Sequence, residues 1–298
     1  MNAPNNTERE PFAKRVQALP KLGIGISTEY GAMTSGGLDP LELVGHRPEF
    51  ARFLEVGVEA DRGLDADVQR WVAAGRATTY HFLDVNLDEP EDLDPAWLAR
   101  VRAHIDVLKP AWLCGDAGLW HFGPRERGHM LLLPPILTRA SAHELAAGIR
   151  ALSSATGHEV LPENPPGQVF VGDLHLLTFF AEVATAADSG LLLDLAHLAI
   201  YQRLQGLAPD VGLADFPLER VVEIHVAGGS ERHHEGFPWI EDAHGVAVLP
   251  EVWALLESIV PRAPNLKAVV FECERNPMRD TLAGFERLAA ILGPSFLR

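Results

Sequence analysis

The chain has 298 residues, 47% of them hydrophobic, with 41 acidic against 25 basic side chains and a formal net charge of −16. That length can bury a large core in a single domain, as α/β barrels do, and an acidic balance with no basic stripe argues against binding a nucleic-acid backbone. The opening MNAPNNTEREPFAKRVQ has no apolar signal-peptide core and no run of about 18 apolar residues follows, so a cytoplasmic protein without a membrane span is expected.

Residues 1–20 are expected to form a flexible tail and 21–298 a single catalytic domain. Along that domain short β-like runs alternate with helix-like stretches. The runs are GIGIS (23–27), FLEVGVE (53–59), TTYHFLDV (78–85), AWLCGDAG (111–118), HEVLPEN (158–164), LLLDLAH (191–197), VVEIHVAG (221–228) and AVVFECE (268–274). GGLDPLEL (36–43) reads as a loop entering a helix. In DPAWLARVRAHIDVLKP, Asp94 caps, Pro95 takes the first turn and Trp97, Val101, Ile105 and Leu108 share a face, with Pro110 marking the end. Ser141 and Glu144 have the spacing of a capping box ahead of Leu145, Ile149 and Leu152, and Leu282, Phe285 and Leu288 mark a last helix. Eight apolar runs alternating with helices predict a parallel sheet closed as a (β/α)₈ TIM barrel.

The polar residues fall late in those runs. His81, Asp116, Glu163, Asn164, Asp194, His225 and Glu272 lie at or just past predicted strand ends, which in a barrel is the C-terminal mouth where active sites are built. The stretch VEIHVAGGSERHHEGFPWIEDAHG (222–245) adds Asp242 and His244 from the loop after the seventh run. A buried parallel strand holds an unpaired carboxylate only at great cost, so a ring of carboxylates and imidazoles calls for a bound cation. With neither Cys114 nor Cys273 among the candidates, both cysteines are read as reduced thiols, and the donors suit Fe(II), Mn(II) or catalytic Zn(II). His81, Glu163, Asp194, His225, Asp242, His244 and Glu272 exceed what one ion needs, which predicts at least two ions sharing a carboxylate.

Each residue also has a plainer reading. His81 alone is an ordinary core histidine, Asp194 a helix cap, Glu163 a turn acceptor, Asn164 a residue held extended by Pro165, and Asp242-Ala-His244 an exposed loop. His233, His234 and Glu235 are read as exposed loop, and His121, His129, His143 and His158 as structural or surface histidines. The coincidence of seven candidates at strand ends or the adjoining loop favours the metal. A Mn, Mg or Zn isomerase or hydrolase on the same barrel and a metal-poor peptide-binding scaffold are the competing readings.

In order, His81, LPEN (161–164), LLLDLAH, EIHVAG (223–228), EDAHGVAVLPEVW (241–253) and FECER (271–275), with HMLLLPPILT (129–138) as a supporting segment, resemble the multinuclear non-heme iron-dependent oxidative enzymes, formerly a domain family of unknown function. The likeness runs from about residue 22 to about residue 290. It implies a xylose-isomerase-like barrel holding two or three mixed-valent Fe(II)/Fe(III) ions that uses dioxygen to oxidise a residue, often Cys, in a ribosomally made precursor peptide. It also implies a small partner protein that recognises the leader peptide. The matching ligands are His81, Glu163, Asp194, His225, Asp242, His244 and Glu272, with Glu163, Asp194 and His225 at the catalytic centre and Asn164 and His197 nearby. Where the family commonly has Ser-[Asp/Glu]-His, this chain has Cys114-Gly115-Asp116-Ala117, so either Asp116 or the displaced His121 replaces a lost ligand or one iron is absent or weakly bound. Glu59-Ala60 stands where the family has Glu-Asn.

Overall fold

The computed structural model of the protein describes residues 10–28, 36–123, 127, 131–234 and 237–297. The strands are β1 (Gly23–Thr28), β2 (Phe53–Val58), β3 (Ala77–Phe82), β4 (Leu113–Asp116), β5 (Val160–Glu163), β6 (Leu191–Asp194), β7 (Val221–His234), β8 (Phe237–Gly245) and β9 (Ala268–Glu272). All but β8 pair in parallel, in the order β6-β5-β4-β3-β2-β1-β9-β7, and a further β6–β7 pairing closes the ring. The eight apolar runs are these eight barrel strands.

Helices α1 (Phe12–Arg15), α2 (Pro40–His46), α3 (Ala66–Ala73), α4 (Pro95–Leu108), α5 (Arg139–Thr156), α6 (Leu176–Ala187), α7 (Leu195–Leu204), α8 (Pro250–Ile259) and α9 (Met278–Phe296) complete the chain. In α4 Asp94 accepts from the Ala96 and Trp97 amides, Pro95 fills a position whose N–H has no helical partner, and Trp97, Val101 and Leu108 are buried. Asp39 caps α2 in the same way. Gly148 lets α5 lie against the β3–α4 connection, since a Cβ there would stand 1.6 Å from the Leu87 carbonyl oxygen.

Four expectations need correction. Residues 12–18 are helical, with Phe12 and Val16 buried against Leu161, Leu192 and Val222 at the barrel's base, so this part of the 1–20 segment is a plug and not a flexible tail; residues 1–9 lie outside the described residues. The α5 cap is Thr138, whose Oγ1 accepts from Ser141 N, and Ser141 and Glu144 already lie inside the helix. The sixth run stops at Asp194 and Leu195–His197 open α7. The segment after the seventh run is not a loop: β7 runs on past the rim and β8 folds back on it antiparallel, with Ser230 opposite Glu241 and Glu231 opposite Ile240. His233 lies in this extension, while Glu235, His129 and the side chain of His234 lie outside the described residues. Among the described residues no helix is long and apolar enough to cross a membrane.

Candidate metal centre

Side chains alternate along a strand, so residues two apart point into the barrel together and stack in layers. The upper layer is formed where β3 presents His81, β4 Asp116, β5 Glu163, β6 Asp194, β7 His225 and β9 Glu272. All six are buried. His197 joins them from the first turn of α7, and Asp242 and His244 reach in from β8. With Ser27, Trp120, Leu132, Pro166 and Arg275, most of these line a cavity of about 230 Å³.

Ligand-capable atoms converge in overlapping groups: His81, Asp116 and Glu163; Glu163, Asp194 and His197; Asp194, His225 and Glu272. His81 Nε2 is 2.8 Å from Glu163 Oε2 and 3.9 Å from Asp116 Oδ2. His225 Nδ1 stands 3.3 Å from both Glu163 Oε1 and Glu272 Oε1 without a hydrogen bond to either. Neighbouring ligand atoms on one octahedral ion with bonds near 2.1 Å are about 3 Å apart, so these separations fit a shared cation.

Three imidazoles are tied at one nitrogen by an acceptor outside the ring of carboxylates and present the other to it. His197 donates Nδ1–H to the Asn164 carbonyl at 2.8 Å and turns Nε2 to Asp242 Oδ2 at 3.2 Å. His225 has Nε2 3.2 Å from Glu55 Oε2 and Nδ1 in the site. His244 has Nδ1 2.6 Å from Glu274 Oε1 and Nε2 3.1 Å from Asp242 Oδ2. A second partner that fixes tautomer and ring orientation is the usual support of a metal-ligating histidine.

Asp194 has two roles. Its Oδ1 caps α7 by accepting from His197 N at 2.6 Å, while its Oδ2 is buried with no hydrogen-bond partner. Asp116 Oδ1, Asp242 Oδ1 and Glu272 Oε2 are also buried without partners. Left so, each would cost about 1–3 kcal/mol or more. Eight carboxylates (Glu55, Asp116, Glu163, Asp194, Glu223, Asp242, Glu272 and Glu274) face four imidazoles (His81, His197, His225 and His244), so negative charge remains in excess when all are ionised. Cations supply both the missing partners and the missing charge, and the donor set fits them.

The titration of the metal-free site reflects that crowding. Burial alone would lower His81, but Glu163, Glu55 and Asp116 override it and hold the imidazolium up to about 9. Burial, then the neighbouring Glu163, pushes Asp116 up to about 7. Burial opposes ionisation of Glu163 and Asp242, yet the adjacent imidazoles hold both below the usual carboxylate range.

Two expected positions behave differently. His121 does not join the site: Nε2 pairs with Asp92 Oδ2 and Nδ1 with the Gly123 carbonyl, both at 2.8 Å. Asn164 spends its amide on the next strand, with Nδ2 to Asp194 O and Oδ1 from Asp194 N, both 2.9 Å, and so holds the ends of β5 and β6 in register. Sequence reasoning left Glu55, Glu223 and Glu274 out of the site. Glu55 meets His225 and Cys114, Glu223 accepts from Trp112 Nε1 at 2.6 Å, and Glu274 meets His244. The available signal was a lone carboxylate inside an apolar β run, as in Leu54-Glu55-Val56 and Val222-Glu223-Ile224.

The fold and the site define a xylose isomerase-like TIM barrel with a buried His–carboxylate centre at its mouth. Solved structures share that fold: a xylose isomerase domain-containing protein from Salmonella typhimurium (TM-score 0.57, 12% identity, 92% of this chain and 99% of that one) and a xylose isomerase-like TIM barrel protein from Mycobacterium smegmatis in complex with magnesium (TM-score 0.55, 12% identity, 93% and 99%). In sequence the chain is 29% identical over 257 residues to a UPF0276 protein of Chromobacterium violaceum (85% of this chain, 91% of the relative) and 31% identical over 241 residues to one of Neisseria meningitidis serogroup B (80% and 81%). The model of the family described as RiPP precursor modification enzyme MbnB/TglH/ChrH matches residues 41–292, and the chain belongs to that family.

Proposed function

We propose that this chain is an iron-dependent oxidoreductase that uses dioxygen to modify a residue, often cysteine, in a ribosomally synthesised precursor peptide, assisted by a small leader-recognising partner protein. The observation that carries the reading is the set of buried, partnerless donor atoms on Asp116, Asp194, His225, Asp242 and Glu272, gathered in one mouth. Family membership supplies the peptide substrate.

His81, Asp116 and Glu163 would hold one ion; Asp194, His225 and Glu272 a second; Asp242, His244 and His197 a third where one is present. Glu163 and Asp194 each belong to two groups of converging donors, so each would be shared between neighbouring ions. When bound, iron supplies one-electron redox chemistry and a place for dioxygen and a substrate thiolate or carboxylate side by side.

The chain's own residues do the rest. Trp120, Leu132 and Pro166 give the cavity an apolar wall that limits water. At 230 Å³ it falls below the roughly 300–1,000 Å³ usual for small-molecule pockets, which suits one side chain of a peptide whose remainder lies outside. Asp116, held up to about 7, is about half protonated in the metal-free site at neutral pH, and a bound cation would release that proton.

The test is elemental analysis of protein purified anaerobically, wild type beside His225→Ala. We expect two or more irons per chain, with iron lost in the variant, activity on a cognate peptide reduced about 100-fold or more, and the barrel still folded. Zinc or manganese alone in an active enzyme would replace this reading with a divalent-metal isomerase or hydrolase. Full iron content in His225→Ala would remove His225 from the ligand set.

A further inference from the structure

We infer that the segment following β9 clamps His244, with Glu274 and Asn276 as positioning residues that aim its Nε2 at Asp242 and Glu272. The inference rests on the metal-dependent reading above and adds two residues to it, neither of them a ligand.

His244 has a backbone φ of 45°, in the left-handed region that a residue with a Cβ occupies at an energetic cost and keeps only when its surroundings impose it. Here the surroundings come from one short stretch of chain. Asn276 Nδ2 donates to the His244 carbonyl at 2.9 Å and to the Cys273 carbonyl at 3.1 Å, which ties the strained residue to the end of β9. Glu274, 3% exposed, places Oε1 2.6 Å from His244 Nδ1. Its Oε2 accepts from Ser27 Oγ of β1 at 3.1 Å, so both oxygens are engaged and the carboxylate is anchored to the barrel wall.

An acceptor on Nδ1 puts the ring proton there and leaves the Nε2 lone pair for the site. That nitrogen stands 3.1 Å from Asp242 Oδ2 and 3.8 Å from Glu272 Oε2. Asp242 Oδ1 and that same Glu272 Oε2 are buried with no hydrogen-bond partner. The backbone strain and the carboxylate brace therefore serve one result: an imidazole from the β7–β8 hairpin directed to a point shared with a barrel strand. Outer carboxylates of this kind typically change metal affinity by about 10- to 100-fold when removed.

The experiment is Fe(II) binding to metal-stripped full-length protein under anaerobic conditions, measured by competition with a chelator for wild type, Glu274→Ala, Glu274→Gln, Asn276→Ala, His244→Ala and the Glu274→Ala/His244→Ala double variant. We expect Glu274→Ala to weaken the loosest Fe(II) by about 10- to 100-fold and Asn276→Ala by less. Glu274→Gln, which retains an acceptor for Nδ1–H, should recover most of the loss. Because Glu274 acts through His244, the double variant should bind no worse than His244→Ala. Wild-type Fe(II) affinity in Glu274→Ala, even at a lower melting temperature, would leave Glu274 a merely structural residue and overturn the inference, as would additive losses in the double variant. If Glu274→Ala does not fold, Asn276→Ala decides: unchanged Fe(II) affinity in that variant overturns it. A wild-type protein that binds no Fe(II) would overturn the metal-dependent reading as well, a failure distinct from the others.

Discussion

At the base of the barrel Phe53, Cys114, Leu161, Leu192 and Val270 close around Phe12 and Val16, whereas two residues further along the same strands Glu55, Asp116, Glu163, Asp194 and Glu272 face one another. Both layers are buried. Packing satisfies the lower one completely, since apolar atoms need only close contact. The upper layer has the same walls but its charges and lone pairs outnumber the partners the protein provides. The contrast shows how one strand serves two purposes within one pleat: the apolar layer that stabilises the fold ends where the layer of unsatisfied donors begins, and Cys114 of the lower layer meets Glu55 of the upper one across that step.

If that division holds, damage to the two ends will separate in the readout. The largest stability effect belongs to the base: Phe12→Ala should cost about 3 kcal/mol, as buried Phe truncations do, while leaving iron per folded chain unchanged. Denaturant unfolding together with elemental analysis checks it, and iron loss in parallel with stability would break the distinction.

A smaller effect should appear with pH in the metal-free protein. His81 is held up to about 9 against an ordinary 6.5, so its contribution is fully present below pH 6.5 and is lost as pH rises through 9. Asp116, held up to about 7, keeps a proton that the unfolded carboxyl releases near pH 4. It therefore also costs stability as pH climbs from about 4 to 7. Glu163 and Asp242, both lowered, act in the opposite sense only towards acid. The melting temperature of chelator-treated protein should fall between pH 5 and 9, and Fe(II) should flatten the slope by replacing those protons. A flat metal-free profile would mean that the mouth is less crowded than its distances imply. Phe12→Ala should shift the curve down without changing its slope.

The smallest expected change sharpens the boundary of the site. His121→Phe should leave metal content and activity at wild-type levels, because both ring nitrogens are already used by Asp92 and Gly123. Loss of the Asp92 partner should lower stability by about 1–3 kcal/mol, read by thermal unfolding. Iron loss in this variant would return His121 to the ligand set.

Much of this was legible in the chain. The alternation of apolar runs with capped helices specifies a parallel barrel because a strand buried on both faces must be apolar and a helix must be apolar on one. Exceptions at strand ends therefore name the residues of the mouth, from His81 to Glu272. The readings that went astray concern places where local preference was overridden from a distance. The 1–20 segment is polar in composition, yet Phe12 and Val16, with Arg15 paired to Glu159 and Asp188, seat residues 12–18 under the barrel. The Asp242-Ala-His244 stretch looks like a loop, yet pairing with β7 makes it strand. His121 stands five residues beyond Asp116 and could serve a metal by type, but its ring is turned to Asp92, a contact invisible without the fold.

Sequence alone determined the barrel, the end at which its buried polar side chains gather and most of those side chains, since period, burial and strand ends are properties of neighbours along the chain. Only the tertiary structure decided which nitrogen of each imidazole faces the centre, which carboxylates stand behind it and which donors have no partner. Those depend on distances between residues far apart in sequence, such as Glu55 and His225 or Ser27 and Glu274, and such distances exist only once the ring of strands has closed.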